Sequence, residues 1–254
     1  MFQIVKKIVT VIKIVNNWPA VLSDKLGFSV VTKYWIRTGQ SFICRSKSSD
    51  INIVVELFSG AEYPKEYLRF SSKNQVVFDL GANIGAFSVY FDSLNKGVEY
   101  SGYSIEPEDQ NFRLLIKNLS LNKVENFKPV KAAITRKDGE VFLNTHVKQS
   151  AVSVVETPTD AKVKSHKLST FCRENMLDRV DILKMDVEGS EYDIIETDRD
   201  FFRSSVASMI LEYHNISPEK NAQAAIKLLE KDFEVRSVRK SKKGGVLYCV
   251  NRNL

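Results

Sequence analysis

The sequence predicts an α/β fold: a mostly parallel Rossmann-like sheet with helices on both faces, an antiparallel last strand and an N-terminal helical and β extension. Three observations carry this. From residue 75 onward, short apolar runs alternate with helix-period segments, the pattern of parallel βαβ units. The first of those runs leads into a glycine-bearing turn. The last two follow one another with no helical segment between them, so the closing strand has to reverse direction.

In chain order, residues 1–26 read as one amphipathic helix or a pair, with Ile4, Ile8, Val11, Ile12 and Val15 at helical spacing and lysines between them. Such a segment packs on its own domain, or lies on a membrane surface through residues 1–17. Runs at 34–37 and 41–45, separated by Thr38-Gly39-Gln40, predict a hairpin. Residues 51–58 and the break at Tyr63-Pro64 are grouped with it as an accessory β segment, which places a domain division between 1–74 and 75–254. Trp18, Tyr34 and Trp35 read as core residues, with a place beside an acceptor as the alternative.

The alternation then predicts a strand at 76–78, a helix from about Ile84, a strand at 98–105, a helix at 109–121 and a strand at 127–130. A polar, strand-rich excursion covers 138–170 and contains His146 and His166, read as surface residues. The pattern resumes with a strand at 181–185, a helix at 190–196, a strand at 208–212 and a helix at 218–231. Strands at 233–238 and 246–250 close the sheet around a turn over 239–245, whose Gly244-Gly245 suits a hairpin.

Composition narrows the function. The chain has 254 residues, 43% apolar and 27% charged, enough for one full core. Cys44, Cys172 and Cys249 are odd in number and show no ligand spacing, which argues against a disulfide framework or structural zinc and fits a reducing cytoplasm. Lys6, Lys7 and Lys13 interrupt the apolar N-terminus and no small-residue cleavage site follows, so neither a signal peptide nor a membrane span is expected. The expected location is cytoplasmic, with peripheral contact at the inner membrane surface. A formal charge of +6 permits an anionic partner without identifying one.

The sharpest motif is Asp79-Leu80-Gly81-Ala82-Asn83-Ile84-Gly85, at the carboxyl end of the first core strand, where ligands of such sheets bind. A dinucleotide site wants G-x-G-x-x-G so that the backbone can approach a pyrophosphate. Here the spacing is D-x-G-x-N-x-G. An acid beside the turn repels pyrophosphate and suits the amino group and sulfonium of S-adenosylmethionine. Glu106, which ends the second core strand 21 residues past Gly85, sits where a carboxylate accepts ribose hydroxyls.

These residues, with Glu106-Pro107 to Phe112, Asn118-Leu119-Ser120-Leu121-Asn122 and Leu183-Lys184-Met185-Asp186-Val187-Glu188-Gly189-Ser190-Glu191, resemble the FkbM-type methyltransferases over about residues 50–250. Glu62-Tyr63 resembles the segment preceding the family's first core strand. The resemblance implies a class I methyltransferase fold and methyl transfer from S-adenosylmethionine to a hydroxyl of a sugar, glycolipid, polysaccharide or secondary metabolite. It also implies that Asp79, Gly81, Ala82, Asn83, Gly85, Glu106 and Asp186 bind the cofactor. The chain departs from the family at Leu168-Ser169, where relatives often carry Leu-Asp.

A sugar hydroxyl is a poor nucleophile and needs a base or a metal. Asp186, Glu188 and His214 are the catalytic candidates, with His214 or Glu188 as a metal-free base. Asp186, Glu212 and His214 form an alternative set for a divalent metal such as Mg²⁺, because strand periodicity puts Glu212 and His214 on one side. Nucleic acid is not favoured, although Arg236, Arg239, Lys240, Lys242 and Lys243 would suit RNA phosphates. An NAD-dependent oxidoreductase is the remaining alternative.

Overall fold

The computed structural model describes residues 2–27, 31–60, 63–68, 74–144, 152–155, 157–159 and 161–254. Glu62 and His146 lie outside them.

The core sheet is built from β3 (Gln75–Leu80), β4 (Tyr100–Ile105), β5 (Phe127–Val130), β10 (Val180–Met185), β11 (Val206–His214), β12 (Phe233–Lys240) and β13 (Gly244–Asn251). Its order is β12-β13-β11-β10-β3-β4-β5. All pairs from β11 to β5 are parallel, while β13 runs antiparallel to both its neighbours, as the missing helix between the last two strands requires. The fold is α/β with a mostly parallel Rossmann-like sheet.

Strand alternation sends side chains to two cores. Val77, Ile182 and Ile210 join the cluster under α3 (Asp50–Phe58), α4 (Ala86–Leu94) and α5 (Asp109–Leu121). Phe78, Leu183, Met209 and Leu211 join the cluster under α6 (Leu168–Glu174), α7 (Glu191–Thr197), α8 (Arg199–Ser205) and α9 (Ala222–Leu229). Burying each such side chain stabilises the fold by roughly 1.5–3 kcal/mol.

The extension holds α1 (Phe2–Ile14), α2 (Trp18–Lys25) and the hairpin of β1 (Val31–Trp35) with β2 (Ser41–Arg45). Tyr34 is buried, Trp18 packs against the first cluster, and Trp35 is exposed. Two asparagines on successive turns of α5 tie the edge of β2 to the core. Asn118 accepts from Ile43 N and donates to Ile43 O and Ile84 O, and Asn122 accepts from Ser41 N and donates to Ser41 O. The Asn118 to Asn122 motif therefore satisfies strand backbone groups that would otherwise form an open edge.

Three expectations are corrected. Residues 51–58 are helical, not β: Ile51, Val54, Val55 and Phe58 are buried at i, i+3, i+4 and i+7. Gly244 and Gly245 are not the turn but the start of β13, because a Cβ on either would collide with backbone oxygens of Tyr213 or Arg239. His166 is a buried residue at the end of β9 (Lys162–His166), edge-on to Phe171. The excursion forms its own four-stranded sheet, order β6-β9-β7-β8, with β6 (Ala133–Ile134), β7 (Gly139–Asn144) and β8 (Ser153–Val155), and α6 follows it. The segment α8, between β10 and β11, carries no strong period and has no counterpart in the sequence reading.

Candidate active site

The site forms where the tips of β10, β3, β4 and β5 meet the turns that follow them. Gly81, Asn83 and Gly85 all take positive φ, and a Cβ on Gly81 would run into the backbone oxygen of Asp186. Only glycine allows the β3 turn to lie this close to the β10 tip.

Asp79 is fully buried and does not face the cleft. It accepts a 2.7 Å hydrogen bond from Ser88 and is paired at 3.1 Å with Lys184, its register partner on β10. The Lys184 ammonium also donates to Gly81 O at 2.8 Å and Leu80 O at 3.3 Å. Burial works against the charged amine, but Asp79 and then Asp186 outweigh it and hold the lysine well on the charged side. The sequence reading has the Asp79 charge facing a bound cation. In the structure that charge is neutralised internally and fixes the turn, and the negative groups facing the cleft are Asp186, Glu188 and Glu106.

Glu106 is buried and accepts from Asn83 N, Glu108 N and Asn111 Nδ2 at 2.8–3.1 Å. Burial pushes its carboxyl up to about 7 despite those three donors. Asp186 is raised by burial as well, and its Oδ1 has no hydrogen-bond partner. Glu188 sits at φ +50 in the turn after β10, and burial, with the Asp186 charge, pushes it up to about 7.

His214 is enclosed by acids. Its Nδ1 lies 2.9 Å from Glu191 Oε1 and its Nε2 3.5 Å from Glu188 Oε2. Burial lowers its basicity, but the Glu191 hydrogen bond and the charges of Asp186 and Glu188 more than compensate and raise it to about 9. At neutral pH it is an imidazolium that holds the carboxylates together, so it is poorly suited to be the base.

Among the described residues, Asp186, Glu191 and His214 bring ligand atoms within 4.8 Å of one another. Glu212 is not in that group: it pairs with Arg239 at 3.2 Å and accepts from Tyr63 at 3.4 Å. Glu191 Oε1 already takes Val187 N, Gly189 N and the His214 ring, and the protonated ring supplies the positive charge. Glu191 Oε2 and Asp186 Oδ1 have no hydrogen-bond partner among the described residues, so the cluster offers carboxylate oxygens to a cation as well as to the His214 ring.

Two clefts open at these tips. The first, with a free volume of about 50 Å³, follows the strand order, from Asp186 just past the β10 tip by way of Asn83 and Glu106 to Ala132, Ala133 and Ile134 beyond β5. Leu143 and Val154 of the small sheet form its roof. It thus runs from two unpartnered buried acceptors, Asp186 Oδ1 and Asn83 Oδ1, through a carboxylate to an apolar end. The second, with a free volume of about 240 Å³, is lined by Ile53, Glu56, Tyr63, Phe87, Glu212 and Arg239. Gly81, Asn83, Asp186 and Glu188 line both.

A parallel sheet with a glycine turn after its first core strand and carboxylates at the neighbouring tips defines a class I methyltransferase. Residues 79–238, more than half of the chain, match the Methyltransferase FkbM domain, and the chain belongs to that family of S-adenosylmethionine-dependent enzymes. A methyltransferase FkbM from Methylobacillus flagellatus KT superposes with a TM-score of 0.55 at 16% identity, over 75% of this chain and 47% of the other. This chain thus spans about half the length of that protein, and the likeness is one of fold. TYW2 of M. jannaschii in complex with AdoMet gives 0.48 at 19% identity, over 87% and 84%. A putative rRNA-methylase from Clostridium thermocellum gives 0.47 at 13%, over 77% and 94%. No curated protein matches.

Sequence reasoning named Asp186, Glu188, Glu106 and Asn83, all of which line the first cleft, and missed Glu191, Tyr63 and the role of Lys184. Glu191 and Lys184 were visible inside the quoted motif. Tyr63 stood out only through the Glu62-Tyr63 resemblance, and its pairing with Glu212, well over a hundred positions away, carried no signal.

Proposed function

We propose that this protein transfers the methyl group of S-adenosylmethionine to a hydroxyl of a sugar-like acceptor, with Glu188 as the base. The observation that carries this is the junction of the two clefts, where a carboxyl raised to about 7 faces both.

In this reading the first cleft is the donor site. Asp186 Oδ1 and Asn83 Oδ1 would accept from the donor's amino group, Glu106 would take the ribose hydroxyls, and the apolar end at Ala132, Ile134 and Leu143 would suit the adenine. Gly81, Ala82 and Gly85 shape the turn, while Asp79 and Lys184 position it from behind. When bound, S-adenosylmethionine supplies an activated methyl carbon that needs no further electrophilic help. The chain's own work is alignment, exclusion of water and removal of one proton.

The second cleft is the acceptor site. Tyr63 and Phe87, packed edge-to-face on one another, form part of its wall, and Glu56 and Glu212 would supply carboxylates that accept hydroxyls. Glu188 would take the proton of the acceptor hydroxyl as its oxygen attacks. A base near the ambient pH is the efficient choice. His214, as a cation, steadies Glu188 and Asp186.

A nucleic-acid acceptor is disfavoured because the three glutamates of this cleft would meet phosphate, and Arg239 and Arg236 are paired with Glu212 and Glu234. The same carboxylates oppose the pyrophosphate of NAD. The test is Glu188→Gln with calorimetric titration of S-adenosylmethionine and turnover on a panel of sugar acceptors. Retained donor binding with turnover lost is expected. Full turnover in this variant would reject Glu188 as the base, and absent donor binding in the folded wild-type chain would reject the whole reading.

A further inference from the structure

We propose that α1, α2 and β1 form a docking face for an anionic lipid bilayer, on which the protein lies without crossing it. The argument begins with charge. Basic residues are spread along the whole chain, but acids are not. Residues 1–37 hold Lys6, Lys7, Lys13, Lys25, Lys33 and Arg37 against a single acid, Asp24, which leaves +5 of the total +6 in this stretch. All six cations are exposed, and Asp24 is only 3% exposed. The surface of this unit therefore presents cations and no carboxylate.

Apolar exposure gathers in the same place. Among the described residues, five of the nine exposed large apolar side chains are Ile8, Val9, Leu22, Leu26 and Trp35. They belong to one packed unit. Asn16 N donates to Trp35 O, Arg37 N to Ile14 O and Arg37 Nε to Ile12 O, while the Asn17 side chain brackets β1 through Lys33 O and Trp35 N. On α1, Val11 and Ile14 turn inward to the core, and Lys6, Val9 and Lys13 share the outer face. On β1, Lys33 and Trp35, followed by Arg37, point outward at period two, an indole between two cations.

That mixture selects the occupant. Apolar side chains and an indole enter the headgroup boundary while lysine stems lie along it and their ammonium groups meet lipid phosphates. A second copy of this chain would set +5 against +5. An RNA would meet the cations but leave the apolar side chains in water. No described helix is long and apolar enough to cross a membrane, so the contact is a surface one. The face also has a location that matters: α1 packs on α3, which lines the second cleft through Ile53, Glu56 and Leu57. A docked molecule would hold that cleft close to the bilayer.

The experiment is co-sedimentation of the full chain with vesicles of phosphatidylcholine alone or mixed with phosphatidylglycerol, across a salt series. Binding is expected only with the anionic lipid and should weaken as salt rises. Lys6→Gln, Lys13→Gln and Lys33→Gln should each cost roughly fivefold in vesicle affinity. Trp35→Ser and Val9→Ser should also lower it, an effect that purely ionic binding would not show. Donor affinity, measured in each variant, reports that the fold is intact. Absence of vesicle binding by a chain that still binds donor would overturn the docking face. So would a dimer, or an RNA complex formed in preference to vesicles, that the same substitutions abolish. Either result leaves the methyl-transfer reading standing, since the assay requires no turnover.

Discussion

The two clefts that meet at Glu188 are built in different ways. The polar groups of the donor cleft stand on sheet tips, in the turns directly after them or, for Asn111, in the first turn of α5, and Glu106 among them is held by two backbone donors and one side chain. The acceptor cleft is assembled from α3, the stretch around Tyr63, the β3 turn, β11 and β12. The floor of the first is positioned by one sheet, and its roof comes from the edge of the small sheet. The second takes its shape from the packing of an extension on a core, and specificity is free to vary there without disturbing the donor site.

The largest expected effect breaks the comparison at the shared residue. Glu188→Gln should lower turnover by about 10²–10⁴-fold, the usual range for loss of a positioned base, with donor affinity little changed. Next is the buried pair. Lys184→Met leaves Asp79 buried without its cation and should destabilise the fold by about 3–5 kcal/mol in denaturant unfolding. Lys184→Met with Asp79→Leu should recover much of that loss, which a direct ligand role for Asp79 would not allow in donor titrations. On the extension, Asn118→Ala strands backbone groups of β2 and should cost about 1–3 kcal/mol.

Subtler effects sharpen the comparison. The rate should climb as pH rises through about 7, where Glu188 loses its proton and becomes a base, and fall as pH passes about 9, where His214 loses the charge that steadies it. In Glu188→Gln the lower limb of this profile should vanish. Chelation of divalent ions tests the Asp186, Glu191 and His214 cluster: unchanged turnover is expected of carboxylates held by the His214 ring, and loss of activity restored by Mg²⁺ would assign the cluster to a metal.

The same contrast explains what the sequence disclosed. Donor-side residues lie in contiguous motifs, and the physical demands on them are local: a glycine where backbone must approach backbone, a carboxylate at a strand end. These were readable from 79–85, 106 and 183–191. The charge of Asp79 was misread because its partner, Lys184, is a register neighbour about a hundred positions away, and parallel register leaves no mark in a single sequence. Glu212 was misassigned for a similar reason, since periodicity gives the face of a strand but not the side chains that reach it from other elements. The helical period of 51–58 was present and was overlooked beside a β-like hairpin.

The roof of the donor cleft carries one more consequence. Val154 lies in β8, a three-residue strand that among the described residues pairs with β7 alone, at the edge of the small sheet. With so few neighbours, its amides belong to the part of the molecule that opens first, and their hydrogen exchange reports local opening well before the core unfolds. Donor seated against Val154 should slow exchange at Val154 and Val155 in proportion to occupancy, giving a readout of cofactor binding that needs no acceptor.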